Sequence, residues 1–379
     1  MTEAGRTPPP SSAGEAPTRG RAADQGRAHG APRPGGRRAS ASPQPAQGGL
    51  DRLGVRRLVH PAPVVRLPLT PGDHPIVVVG EAVPGGGILA ERVRGSTLVD
   101  VTAAAVPDDA APGAWWEDDG RRHGVRRVRA GADEGELLYR VDGDWRVVRG
   151  ERGDFLEAPA AGIVRGVSPG VAIAVETACQ GLVAVSAIGG PARGRLEIVG
   201  DADGELRAGA LDVGRAGAIV VAGSRVDAET LTRARAMGIR GIVAAGVATR
   251  DLRGIAASEA RQRASLRPLP PFAILVLEGN LRARIASPVM AILRALAGRD
   301  VAIVGDPPLL LFDPPPGGIP LPPADLVRIR HGSDAGREGR WAGPAGRRRF
   351  ATGIHLEAGF VATDRGILVV PLSDLERFG

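Results

Sequence analysis

Between residues 213 and 306 the chain alternates short apolar runs with helical segments, and this pattern restricts the fold more than any other. GAIVVAG (217–223), IRGIVAAG (239–246), PFAILVLEG (271–279) and VAIVG (301–305) are near-continuous apolar stretches bounded by glycine. Strands buried on both faces read this way. The segments between them carry helix signals. Asp227 is placed to N-cap a helix, with Glu229 in its first turn and Gly238 after its end. Thr249 precedes DLRGIAASEARQRAS, and Ser287-Pro288 sets a cap and a first-turn proline before VMAILRALAG, which Gly298 closes. A β-α-β-α-β-α-β order with short connections predicts a parallel sheet with helices packed on it, a small α/β domain over 213–306.

Ligands of such sheets sit at the carboxyl ends of the strands. That rule places Gly223, Ser224, Arg225, Gly246, Thr249, Arg250, Glu278, Asn280, Gly305 and Asp306 around any pocket. Of these, Gly223, Ser224, Thr249, Arg250, Asn280 and Asp306 are the candidate ligand residues, because N–H groups at helix starts suit a phosphate or carboxylate. The same residues are also ordinary turn and cap residues. No G-x-G-x-x-G opens the first turn and no acid–base pair stands out, so the sequence names no reaction and no catalytic residue.

Composition narrows the chemistry further. All 49 basic residues are arginine, so no P-loop lysine, Schiff-base lysine or lysine-attached cofactor exists here, and no cofactor is expected. Aromatics make up only 3% of the chain, which leaves Val, Ile, Leu and Ala to build the cores. A net charge of +7 permits a polyanionic partner, although alanine, glycine, proline and arginine are all abundant together, which discounts the arginine as a signal. The one cysteine, Cys179, excludes an intrachain disulfide framework and a cysteine zinc knuckle; its apolar flanks suggest a buried inert thiol, and no disulfide-linked partner is expected. The histidines lack ligand spacing, so no metal site is expected. No signal-peptide core and no membrane-length apolar run is seen, which points to a cytoplasmic protein without membrane contact.

The other segments differ in character. Residues 1–50 are poor in large aliphatics and are expected to be a disordered tail. Residues 51–212 look β-rich. Within them, Val78, Val79, Gly80, Val83, Gly86, Leu89 and Ala90, and later Ala158, Pro159, Gly162 and Val164, resemble the two halves of biotinyl/lipoyl-like barrel-sandwich folds. The resemblance implies a structural barrel only, since the modified lysine of the carriers is missing. A hairpin insert at 106–156 turns at Asp142-Gly143 and holds Trp115, Trp116, Tyr139 and Trp145, which form either a stacking surface with nearby arginines or, more simply, the hairpin's own core. Residues 307–323 are proline-rich and read as a linker.

The final module, residues 324–379, begins with the alternation Val327, Arg328, Ile329, Arg330, followed by Gly332, Gly336 and Gly339 at turn and bulge spacing. This segment resembles a KOW motif, the β-turn-β element of SH3-like barrels in ribosomal proteins and transcription elongation factors. The resemblance implies contact with RNA or a ribonucleoprotein, or with a protein partner, through Arg328, Arg330, Arg337, Arg340, Arg347, Arg348 and Arg349, with Trp341 as a stacking plane. After a proline linker it is expected to fold separately. The whole chain is thus expected to be a multidomain α+β protein: a disordered tail, a β-rich barrel-sandwich-like region, a small parallel α/β domain and a C-terminal SH3-like KOW barrel. The leading functional expectation is a non-enzymatic adaptor. The alternative is an accessory subunit of an enzyme whose α/β domain binds a nucleotide or anionic metabolite.

Overall fold

The apolar runs form strands, and they are apolar throughout because both faces of their sheet are covered. In the computed structural model, residues 48–70, 72–100, 114–118, 121–130, 133–141, 144–263 and 271–379 are described, with backbone alone over 94–153 and 259–263. Ala218–Val226, Gly241–Val247 and Ala273–Gly279 are neighbouring parallel strands. One face packs on helix α1 (Ala228–Ala236) and helix α2 (Thr249–Arg263) through Val220, Ile242, Ile274, Leu231 and Ile255. The other packs on helix α3 (Ser287–Ala295) through Ile219, Val243, Leu275, Val289 and Leu293.

The expected α/β domain is part of a larger sheet of nine strands. Its fourth parallel strand is Ala192–Ile198, and Asp300–Gly305 runs antiparallel beside it. The reason lies in where α3 ends: Gly298 N–H donates to Leu196 O at 2.8 Å, and Leu196 N–H donates to Arg299 O. The helix delivers the chain beside the second half of the Ala192–Ile198 strand, so the next strand runs on toward the amino end of the parallel set. Proline-rich residues 307–323 are likewise not a linker throughout, because Pro308–Phe312 is the next antiparallel strand, with Leu309, Leu310, Leu311 and Phe312 all buried. Gln180–Val183 and Val59–Pro61 complete that edge, and Ser186–Gly189 the other.

On the face that carries α1 and α2, the antiparallel half of the sheet is covered by a second β layer. Val64–Pro68, Ala172–Thr177, Gly162–Ser168 and Ala82–Val83 form a four-stranded sheet whose Val65, Leu67, Val164, Ile173 and Val175 share a core with Ala302, Val304, Leu309 and Leu311. Val78 and Val79 are exposed outside any strand. From this layer rises an antiparallel ribbon of Ile88–Asp100 and Asp144–Glu157, extended by Asp133–Val141, Arg121–Ala130 and Ala114–Asp118. Buried Asp73 ties its base: it accepts from Thr70 N–H at 2.7 Å and Val93 N–H at 3.2 Å. Residues 142–143 and the side chains of Trp115, Trp116, Tyr139 and Trp145 lie outside the described residues.

The C-terminal sheet has six strands in the order Gly54–Arg56, Leu375–Phe378, Leu326–Ile329, Glu338–Arg349, His355–Thr363, Gly366–Pro371. Its first strand comes from the start of the described chain and pairs in parallel with the last. The expected separately folding module therefore takes an edge strand from residues 250 positions or more upstream, and the described chain belongs to a single compact unit. Residues 1–47 of the expected tail lie outside the described residues; Leu50 opens the short turn Leu50–Arg52 and packs against the C-terminal core. The protein is mostly β, with three α-helices among the described residues, none of them long and apolar enough to cross a membrane.

Candidate polyanion interface

The arginines of the C-terminal sheet separate into a neutralised set and an open set. Arg328 is 6% exposed, and its Nη1 lies 2.5 Å from Glu278 Oε2. Arg56 Nη1 reaches the same oxygen at 2.8 Å, and Glu376 lies 3.7 Å and 3.8 Å from the two guanidiniums. These four side chains join the C-terminal sheet to the end of the Ala273–Gly279 strand. A buried arginine with two carboxylate partners cannot reach a phosphate, so Arg328 is structural. Trp341 is 1% exposed and forms the centre of the sheet's core with Val327, Ile329, Val361 and Leu375, so it offers no stacking plane. The indole explains two glycines: a Cβ at Gly359 would overlap its ring, and one at Gly49 would lie 3.2 Å from it.

Arg337 contacts Asp334 and Asp364, both at 3.2 Å; Arg340 contacts Asp325 at 2.5 Å; Arg330 faces Glu376 at 3.7 Å. Arg347, Arg348 and Arg349 differ. They lie at the exposed end of the Glu338–Arg349 strand, in register with Glu357, Leu356 and His355, and make no ion pair among the described residues. Strand geometry projects Arg347 and Arg349 to one face and Arg348 to the other. The glycine reading holds for Gly332 and Gly336, which have φ of +87° and +84°. Gly339 is needed for a different reason: a Cβ there would lie 2.6 Å from Ala362 O.

The candidate ligand residues of the central sheet do not converge. Ser224 N–H and Oγ both donate to Gly204 O, at 2.6 Å and 2.8 Å, and a Cβ at Gly223 would strike Asp201 O and Gly204 O. The 201–205 segment thus fills the end of the Ala218–Val226 strand and uses the groups an anion would need. Asn280 Nδ2 and Thr249 Oγ1 do meet, at 3.3 Å, but Arg250 points outward and, among the described residues, its one ion pair is with Asp251, at 3.4 Å. Asp306 lies at the opposite end of the sheet, because the strand before it runs antiparallel; there it faces Arg66 at 3.9 Å.

The N-terminus of α3 is also occupied. Ala286, not Ser287, is its N-cap; Ser287 N–H donates to Glu338 Oε1 at 2.7 Å and Ala286 N–H to Glu278 Oε1 at 3.3 Å. Glu278 and Glu338 are the residues whose roles sequence reasoning missed, and no local pattern marks them, since the arginines that Glu278 binds and the Ser287 N–H that Glu338 caps are 50 or more positions away. Among the described residues no cluster of His, Cys, Asp and Glu could hold a metal. Among the described residues, the surroundings move two groups off their ordinary acidity. The Thr230 N–H, together with the Thr230 hydroxyl, holds Asp227 below the usual carboxylate range, as its N-cap role requires. Burial pushes the Cys179 thiol up, consistent with an inert side chain.

No protein-family model matches the chain, and no curated protein is similar to it.

Proposed function

We propose that the protein is a non-enzymatic adaptor whose C-terminal sheet, an SH3-like barrel of the KOW kind, contacts RNA through Arg347, Arg348 and Arg349. The observation that carries this reading is the division of the arginines: Arg328, Arg330, Arg337 and Arg340 face carboxylates, whereas these three adjoin one another at an exposed hairpin end without any ion pair among the described residues. Two features support the barrel assignment. The last strand pairs with Leu326–Ile329, the first strand of the C-terminal module, and a single short turn, Leu372–Asp374, precedes it. The single buried cysteine suits a cytoplasmic site of action.

Three arginines set the size of the effect. For a single strand, log K falls with log salt at about 0.7 per phosphate neutralised, which gives a slope near −2 for three contacts. Fluorescence anisotropy with a labelled single-stranded RNA, between about 50 mM and 200 mM salt, measures it. The combined substitution Arg347→Ser, Arg348→Ser, Arg349→Ser removes the binding. Binding that is absent at low salt, or that the triple variant retains unchanged, overturns the proposal.

A further inference from the structure

Among the described residues the strand Gly366–Pro371 ends its sheet and pairs only with His355–Thr363. Its hydrogen-bond phase follows from one residue. Pro371 has no N–H, yet it stands in register with Ala358, so that pair is a non-bonded one. The bonded pairs are then Gly359 with Val370, Val361 with Leu368, and Thr363 with Gly366. Ile367 and Val369 therefore turn their N–H and C=O groups away from the sheet, and none of these groups has a hydrogen bond elsewhere among the described residues. Their side chains face outward as well, 67% and 43% exposed, while Leu368 and Val370 face the core.

Natural sheets blunt such edges with lysine, proline, bulges or cover. This one carries G-I-L-V-V before its terminal proline and has no charge within it. The geometry points to a docking edge for an extended protein segment, one with apolar side chains at alternate positions and an acidic residue at each end. The backbone groups select an added strand, and the charges select its ends. Arg365 stands exposed at the start of the edge, without an ion pair among the described residues; Arg347–Arg349 stand beyond Pro371, because they pair with 355–357 past the Ala358–Pro371 row. Each end of the edge thus offers arginine without an ion pair among the described residues, although at its start Asp364, which faces Arg337, adjoins Arg365. A second copy of this chain fits less well: antiparallel self-pairing about Leu368 sets Arg365 of each copy against the partner's Pro371 end, where like charges gather. This inference does not rest on the RNA reading.

The probe is a fluorescein-labelled, end-blocked peptide of three alternating valines between terminal glutamates, added to the full chain. Binding should slow amide exchange at Ile367 and Val369 selectively, and a peptide with lysines in place of the glutamates, which sets like charges together, should bind at least about tenfold more weakly. Val369→Pro removes an outward N–H that the sheet does not use, and should abolish binding while leaving RNA binding unchanged. Should that variant misfold, Ile367→Lys with Val369→Lys tests the same edge. No protection at Ile367 and Val369, or equal binding by the edge variants, overturns the inference. So does a dimer of the chain alone, seen by sedimentation and lost in Val369→Pro, which would assign the edge to self-pairing.

Discussion

Removing the Glu278 carboxylate tests whether the central and C-terminal sheets are one folding unit. Glu278 Oε2 faces Arg328 at 2.5 Å and Arg56 at 2.8 Å, and its other oxygen takes the Ala286 N–H at the start of α3. The Glu278 and Arg328 side chains are only 5% and 7% exposed. In Glu278→Ala two guanidiniums keep a single carboxylate, Glu376, no nearer than 3.7 Å. Breaking a buried pair on one side costs about 3–5 kcal/mol, largely because the remaining charge stays desolvated. That is roughly 150- to 5,000-fold in the folding equilibrium, and a large share of the ~5–15 kcal/mol that stabilises an ordinary domain. Urea denaturation followed by far-ultraviolet circular dichroism measures the loss, and exposure to a thiol reagent of Cys179, which is buried in the core shared by the central and four-stranded sheets, should shift by the same amount. Glu338→Ala is the comparison: it removes one cap to Ser287 N–H from a less buried site and should cost about 1 kcal/mol. A Glu278→Ala loss below about 1 kcal/mol would put the cluster in the class of solvent-screened surface pairs and refute the reasoning. Transitions that separate, with Cys179 unaffected, would refute the single unit.

Asp227→Ala should cost about 1 kcal/mol by urea titration, since it deletes the bond to Thr230 N–H. The Asp227 carboxyl is held below its ordinary value in the folded state, so its contribution is present above the unfolded-state value and disappears as pH falls through the folded one; the difference between wild type and Asp227→Asn should shrink on that acid side. Cys179 should resist a thiol reagent in the native protein at neutral pH and react fully in urea; fast native labelling would contradict its burial. Gly359→Ala should disrupt the C-terminal sheet, because the new methyl would overlap the Trp341 ring, and loss of native tryptophan emission would report it.

The local elements were legible in the chain because their causes are local. Apolar runs bounded by glycine marked Ala218–Val226, Gly241–Val247 and Ala273–Gly279, and the Asp227 cap and the terminating glycines Gly238 and Gly298 marked helix ends. Gly332 and Gly336 announced a turn that needs positive φ. The candidate site was only partly legible. An arginine in the sequence carries no sign of whether a carboxylate faces it, and the carboxylates that neutralise Arg328 come from another sheet and from the last strand. Trp341 looked like a binding surface because a tryptophan among arginines reads the same whether it is buried or exposed.

The sequence by itself determined that this chain has β-rich layers and a short α/β segment, that lysine chemistry is absent, and that arginine is its only strong cation. Tertiary structure alone decided the direction of Asp300–Gly305, which sends Asp306 to the far end of the sheet, and the use of Gly54–Arg56 as an edge strand of the C-terminal sheet. It alone decided which arginines remain open. Strand direction, edge-strand pairing and charge pairing depend on residues brought together from tens to hundreds of positions apart, and no periodicity within one segment encodes who the distant partner is.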